Sequence, residues 1–399
     1  MENNEIQMKK KIKMQYNNSA IYFINERFVD EEENVFIELI GVSDRNENTS
    51  LLINQRDHSY IRFSEGKFVY MVNERFYKAG ANSYVKSLVA RDVHNRKEIL
   101  NSYIEPGINS AEDIDNVWSY HINVGCANFS VIVYKQHEKY HIWVVDASVI
   151  ETRTWINYHR NIEKCFEHIS SKFKISKCSL FIEKFMLTHS HYDHFSGFEY
   201  LVDQGFINSN TEVWINGYYS WPYPAYSSML GRITSLGIRC VQPIAGNSTR
   251  NVKVLYPNVA VSRTPIAVPH VIEANPNNSS AVYQICLGGK SMVFPGDLET
   301  KGWDQFLTCY PNLNNSSFYC ISHHGSENGH IRNICLHRTI HNISDCCTNI
   351  GTCILMGRDG AYPGMYAASV LSDFGVKIVQ SEGNHFLELE WNSGTVNTY

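Results

Sequence analysis

Short bursts of apolar residues alternate with polar turns over residues 19–80. The runs AIYFINERF, NVFIELIGV, SYIRFS and KFVYMVNERF are rich in β-branched and aromatic residues, and DEEEN, SDRNENTS and SEGK separate them. That spacing predicts a small, mixed but β-rich unit. Residues 83–105 shift to a helical pattern, and then Pro106-Gly107 and the acidic AEDID stretch break the chain. A domain boundary is placed there. It gives a β-rich N-terminal domain over 1–115 and a second domain over 116–399. The first carries no recognisable catalytic motif.

From Tyr120 the texture changes. HINVGCANFSVIVY and YHIWVVDAS predict a hairpin, and residues 151–172 predict a helix. IEKFMLTHSHYDHFSG then reads as a buried strand running into a histidine cluster. Further strand-like runs are TEVWING, VKVLYP, SAVYQICLGG, SMVFPGD, SFYCISHHG, TCILMG, VKIVQ and HFLELEW. Strands alternating with helical segments predict an α/β sandwich rather than an all-β fold.

Composition narrows the class. The chain has 399 residues, 43% hydrophobic and 19% charged, enough for two globular domains. The net charge of −5 argues against a protein that coats nucleic acid by charge alone, although a local basic groove is compatible with it. No run of 18 apolar residues suggests a membrane span, and the polar start MENNEIQMKKKIKM has no signal-peptide core. The 11 cysteines are odd in number and scattered, as expected for reduced thiols in a cytoplasmic protein.

The chemistry concentrates in His189-x-His191-x-Asp193-His194, directly after an apolar strand. On extended backbone His189 and His191 point to one side, while Asp193 and His194 turn into the next helix and face a second ion. Imidazole and carboxylate suit zinc, manganese or iron. Asp297 in FPGD and His323-His324 in HHGS each follow another strand, so all these groups fall at strand C-terminal ends where loops converge.

These motifs resemble the metallo-β-lactamase fold superfamily, and most closely the metallo-hydrolase domain of ComEC-type DNA-uptake proteins and their stand-alone relatives. Besides the histidine motif, the similarity rests on Asn123-Val124-Gly125-Cys126-Ala127-Asn128, Val145-Asp146-Ala147-Ser148 and Asn277-Asn278-Ser279-Ser280. It continues through Gly296-Asp297, His323-His324-Gly325-Ser326 and Gly357-Arg358-Asp359-Gly360-Ala361-Tyr362-Pro363. It spans about residues 118–391. The resemblance implies an αββα sandwich with two divalent ions, zinc first, manganese or magnesium as alternatives. His189 and His191 would bind one ion. Asp193, His194 and either His323 or His324 would bind the other, and Asp297 would bridge. Asp193 would orient the attacking hydroxide, and whichever of His323 and His324 is not a ligand would meet substrate oxygen. Asp146 and Asn277 would support the site from behind. His270 is a candidate for the superfamily's third histidine, with Asn277 nearer the expected position. The sequence departs from the branch at Cys126 and Asn128, where Gln and Asp are usual, and at Ala147-Ser148 after Asp146.

The aromatic-rich stretch from Trp214 to Tyr226 has two readings. Tyr218, Trp221 and Tyr223 form a base-stacking platform for substrate, or the aromatics cover the sandwich edge or an interface with the N-terminal domain, the reading the sequence favours. The Cys and His residues between His330 and Cys353 match no zinc-finger spacing. The resulting expectation is a cytoplasmic metal-dependent phosphodiesterase, a nuclease with nucleic acid as substrate. By analogy with stand-alone relatives, it would be an effector in antiviral defence, with a protein partner at its N-terminal domain and no membrane contact. The alternatives are a hydrolase of small phosphoesters, lactones or thioesters, and a degenerate domain that binds or senses.

Overall fold

In a computed structural model, the structure describes residues 20–29, 35–44, 46–47, 49–56, 64–72, 75–107, 113–151, 155–257, 275–299, 302–303, 306, 316–326, 329, 351–357 and 376–399. His270, the Cys/His-rich stretch 330–350 and the closing segment 358–363 lie outside them.

The N-terminal runs form β1 (Ile21–Val29), β2 (Val35–Gly41), β3 (Ser50–Asn54), β4 (Phe68–Val72) and β5 (Arg75–Lys78), and α1 (Ser83–Asn101) follows. The five strands make one antiparallel sheet in the order β3-β2-β1-β4-β5. Asn82 caps α1, its side chain accepting from the backbone N–H groups of Tyr84 and Val85.

The second sheet holds β6 (Ile114–Ile122), β7 (Ser130–Gln136), β8 (Lys139–Val145), β9 (Ile182–Met186), β10 (Glu212–Trp214), β11 (Arg239–Val241), β18 (Phe386–Glu390) and β19 (Thr395–Thr398). Their order is β11-β10-β9-β8-β7-β6-β18-β19, with β8 to β11 parallel. The third sheet runs β12 (Val252–Tyr256), β13 (Val282–Leu287), β14 (Lys290–Phe294), β15 (Phe318–Cys320), β16 (Thr352–Leu355) and β17 (Lys377–Gln380) in sequence order, parallel from β14 onward. The expected hairpin run splits at 123–129. The hairpin itself is β7–β8, turned by His137 and Glu138, both with positive φ.

Period-two packing explains the sandwich. Ile132 and Tyr134 of β7, with Trp143 and Val145 of β8, face the third sheet and meet Tyr283, Ile285, Met292 and Phe294. Val131, Val133, Ile142 and Val144 alternate to the other face. There they meet α2 (His159–Phe173), α4 (Phe198–Asp203) and α5 (Pro224–Ser235), and α3 (Tyr192–Phe195) lies at the strand ends. Strands buried on both faces need near-continuous apolar runs, which is what the sequence shows. The architecture is the expected α/β sandwich with a β-rich N-terminal unit. Phe23, Ile40, Phe68 and Val85 of that unit share one hydrophobic core with the sandwich helices. No described helix is long and apolar enough to cross a membrane. Cys126, Cys165, Cys240, Cys320 and Cys353 are buried.

Candidate metal centre

Four strand ends build the site. Asp146 follows β8, residues 188–194 follow β9, Asp297 follows β14, and His323-His324 follow β15. Gly296 (φ +58°) lets the Asp297 loop approach closely. A Cβ there would stand 2.6 Å from the Thr188 Cβ.

Asp146 orients the histidine motif. Its Oδ1 accepts from the Thr188 backbone N–H at 2.8 Å, and its Oδ2 accepts from the Thr188 hydroxyl and from His194 Nδ1, each at 2.8 Å. The His194 ring is thereby fixed with Nε2 forward, 3.4 Å from Asp193 Oδ2 and 3.2 Å from Asp297 Oδ2. His324 is fixed in the same way. Its Nδ1 donates to the Met356 carbonyl at 2.9 Å, and its Nε2 lies 3.1 Å from Asp193 Oδ2 and 3.3 Å from Asp297 Oδ2. One ligand atom from each of Asp193, His194, Asp297 and His324 falls within 4.8 Å of the others, all buried. A tetrahedral shell with bonds of about 2.1 Å spaces its ligand atoms about 3.4 Å apart, close to these separations.

A second observation tests the fit. His189 Nε2, both ring nitrogens of His191, His194 Nε2, Asp193 Oδ1 and both oxygens of Asp297 are buried and make no hydrogen bond among the described residues. Each orphaned buried polar atom costs about 1–3 kcal/mol. A concentration of them at one point is the mark of a cation site, so the donor set fits divalent metal. His189 and His191 stand ring to ring at 4.8 Å, and His189 and His194 at 4.1 Å.

Electrostatics agree. Burial works against the charge on His194, but the carboxylates of Asp297, Asp193 and Asp146 outweigh it and hold the pKa well above the usual value. His324 is raised in the same way, burial being outweighed by Asp297 and Asp193. Asp193 and Asp297 lie well below the usual carboxylate range, burial being outweighed chiefly by His194. His189 is lowered, first by burial and then by His194 and His191. The carboxylates that favour positive charge on His194 and His324 would favour a bound cation in the same way.

The structure separates the two histidines of HHGS. His324 joins the four-residue set. His323 points its Nε2 to Glu26 Oε1 of β1 at 2.7 Å, with Asp297 Oδ2 at 4.0 Å, so that Glu26, Asp297 and His323 form a second buried group with ligand atoms within 4.8 Å of one another. Glu26 is a site residue that sequence reading missed. A carboxylate inside the apolar run AIYFINERF was its only signal, and Glu38 in NVFIELIGV gives the same signal while accepting from Asn25 and the Ser50 hydroxyl. Asn277 donates to Glu299 at 3.0 Å, and Glu299 lies 3.8 Å from His323 Nδ1. Asn128 donates its backbone N–H to the Asp193 carbonyl at 3.1 Å.

The aromatic stretch is packed inward. Trp221 is fully buried, 4.8 Å from the Phe23 ring of β1 and 5.3 Å from His191. Tyr223 stacks on Phe23 at 5.3 Å, and half-buried Tyr218 lies 6.4 Å from Tyr103. Asp92 of α1 ties the loop down, accepting from the Ser220 hydroxyl at 2.9 Å and the Trp221 N–H at 3.3 Å.

Residues 185–309 match the family profile described as the metallo-beta-lactamase superfamily, whose members are metal-dependent hydrolases. The match covers the histidine motif and Asp297 and does not single out a branch. No curated protein matches the chain. Among solved structures, the metallo-beta-lactamase fold protein YhfI from Bacillus subtilis is 9% identical. It aligns over 69% of this chain and 100% of its own, with a TM-score of 0.36. A variant of the CmlA beta-hydroxylase is 12% identical over 89% of this chain and 69% of its own, with a TM-score of 0.34.

Proposed function

We propose that this protein is a metal-dependent phosphodiesterase whose substrate is a nucleic acid. One observation carries the hydrolytic reading. Asp193, His194, Asp297 and His324 present buried, pre-oriented ligand atoms within 4.8 Å of one another at converging strand ends. Divalent ions held there supply Lewis acidity and bring the pKa of bound water from about 15.7 towards 7. The chain does the rest. Asp146 and the Met356 carbonyl fix the two ring orientations, so little reorganisation is needed when charge develops. Asp193 turns Oδ2 to His324, and Oδ1 remains to orient the attacking water and accept its proton. The phosphodiester assignment is supported by the HHGS and GD segments of the ComEC-type pattern.

The test is cleavage of labelled single- and double-stranded DNA and RNA with manganese, zinc or magnesium, on wild type and on the His191→Ala/Asp297→Ala double variant. Metal-dependent cutting by wild type alone supports the reading. No cutting of any polymer overturns it. A second reading, hydrolysis of small phosphoesters, is favoured by the burial of Trp221 and Tyr223, which leaves no open stacking face on either ring. Turnover of bis-p-nitrophenyl phosphate without polymer cleavage selects it.

A further inference from the structure

We propose that Glu26, on the N-terminal sheet, is a positioning residue of the metal centre. It acts through His323 on the ligand His324. The proposal deepens the reading above and rests on it only in taking the site to bind metal.

The geometry begins with a bulge. β1 pairs with β2 in register up to Ile24–Leu39 and resumes at Glu26–Glu38, so Asn25 is an extra residue on β1. A bulge re-aims the side chain that follows it. Here Glu26 is turned out of its sheet and into the sandwich, where it is 3% exposed and accepts from His323 Nε2 at 2.7 Å. The sheet is held in that place by Phe23 against Trp221, and Trp221 in turn packs on His191.

The receiving turn needs such a partner. His323 (φ 48°, ψ 47°) and His324 (φ 51°, ψ 23°) are consecutive non-glycine residues in the left-handed region. Each costs about 1–2 kcal/mol there, and such a conformation persists only where its surroundings over-determine it. Two side-chain hydrogen bonds do this. The His324 ring is held by the Met356 carbonyl and the His323 ring by Glu26. The Glu26–His323 separation of 2.7 Å is that of a charge-assisted hydrogen bond and is shorter than the 3.1–3.4 Å spacings within the four-residue set. Ligand atoms of Glu26, His323 and Asp297 also lie within 4.8 Å of one another, so Glu26→Gln, which keeps the hydrogen bond and removes the charge, separates a support from a ligand. Without Glu26 the turn relaxes, the His324 ring swings from Asp193 and Asp297, and the donor set opens. Partners of this kind, behind a ligand, change metal affinity about 10–100-fold when removed.

The experiment measures zinc affinity by competition with a chromophoric chelator, with thermal melts as the folding control. It uses wild type, Glu26→Gln, Glu26→Ala, His323→Ala and the Glu26→Ala/His323→Ala pair. Gln keeps an acceptor oxygen for His323 Nε2, so Glu26→Gln is expected within about threefold of wild type. Glu26→Ala and His323→Ala are expected to weaken zinc by about 10–100-fold. The double variant should match the single ones, because both break one link. Wild-type affinity in Glu26→Ala overturns the proposal, as do additive losses in the double variant. Should Glu26→Ala not fold, unchanged affinity in His323→Ala overturns it alone. Wild type that takes up no zinc overturns the metal reading itself, a separate result from zinc-binding variants indistinguishable from wild type.

Discussion

At the residue scale, the histidine motif was legible because its four donors are contiguous and one local turn sets their directions. Asp146 was legible for a related reason, since it ends a clear apolar strand. The choice between His323 and His324 was not legible. Adjacent residues in left-handed backbone aim their rings differently, and the positions of Met356 and Glu26, set far away in the chain, place His324 nearer Asp297 Oδ2 than His323. Asp146 carries a prediction here. Asp146→Asn keeps the shape but has one acceptor oxygen for three bonds, those from the Thr188 hydroxyl, His194 Nδ1 and the Thr188 N–H, each at 2.8 Å. His194 then loses its fixed orientation. Zinc affinity by chelator competition is expected to fall about 10–100-fold, with the urea midpoint lowered far less than for a core truncation. Unchanged affinity would remove Asp146 from the site.

At the element scale, strands lying in apolar runs were legible, the three-residue β10 and β15 among them, and β11 and β19 were not. β11 and β19 have three and four residues, too few for a periodic signal, and pairing with neighbours makes them strands. The helix expected from 151 begins at His159, and Ile150 and Asn157 pair with each other ahead of it. α5 hides behind the prolines of the aromatic stretch, where Pro224 opens the helix. The turn after β14 is the element most sensitive to one methyl group. Gly296→Ala combines φ +58° with a 2.6 Å contact to the Thr188 side chain. A cost of about 2–4 kcal/mol is expected by urea unfolding, from left-handed strain and overpacking together. Gly205, at φ +77° with nothing within 4 Å of its added Cβ, is the control. Gly205→Ala carries the strain without the clash and should cost about 1–2 kcal/mol. Equal costs at the two positions would show that the Thr188 contact does not matter.

At the scale of the whole molecule, the change in texture along the chain was legible, but the core that the N-terminal sheet shares with the sandwich helices was not. Phe23 and Trp221 lie 198 positions apart in the chain and meet only because α1 and the aromatic loop are drawn together at Asp92. Trp221→Ala empties a fully buried site between the sheets and is expected to lower stability by about 3–5 kcal/mol in urea unfolding. Stability should also depend on pH through His121 of β6, between the two large sheets. Its ring is fully buried, sits between the hydroxyls of Ser119 and Ser130 at 3.0 Å each, and stacks on Phe294. Burial pushes its pKa down to about 3. The unfolded chain titrates near the ordinary value of about 6.5. Above pH 6.5 both states are neutral and the full stability is present. As pH falls below 6.5 the unfolded state takes up a proton that the folded state refuses until about pH 3, so stability is lost across that window at up to about 1.4 kcal/mol per pH unit. Between pH 7.5 and 5 this amounts to about 2 kcal/mol. His189 and His191 add slopes of the same sign, and His194, His323 and His324, whose pKa values are raised, add slopes of the opposite sign; a comparison with His121→Gln subtracts both. Urea unfolding of both proteins at pH 7.5 and 5 should show the variant losing about 2 kcal/mol less than wild type over that interval. Equal losses would mean that the His121 ring accepts its proton inside the folded sandwich.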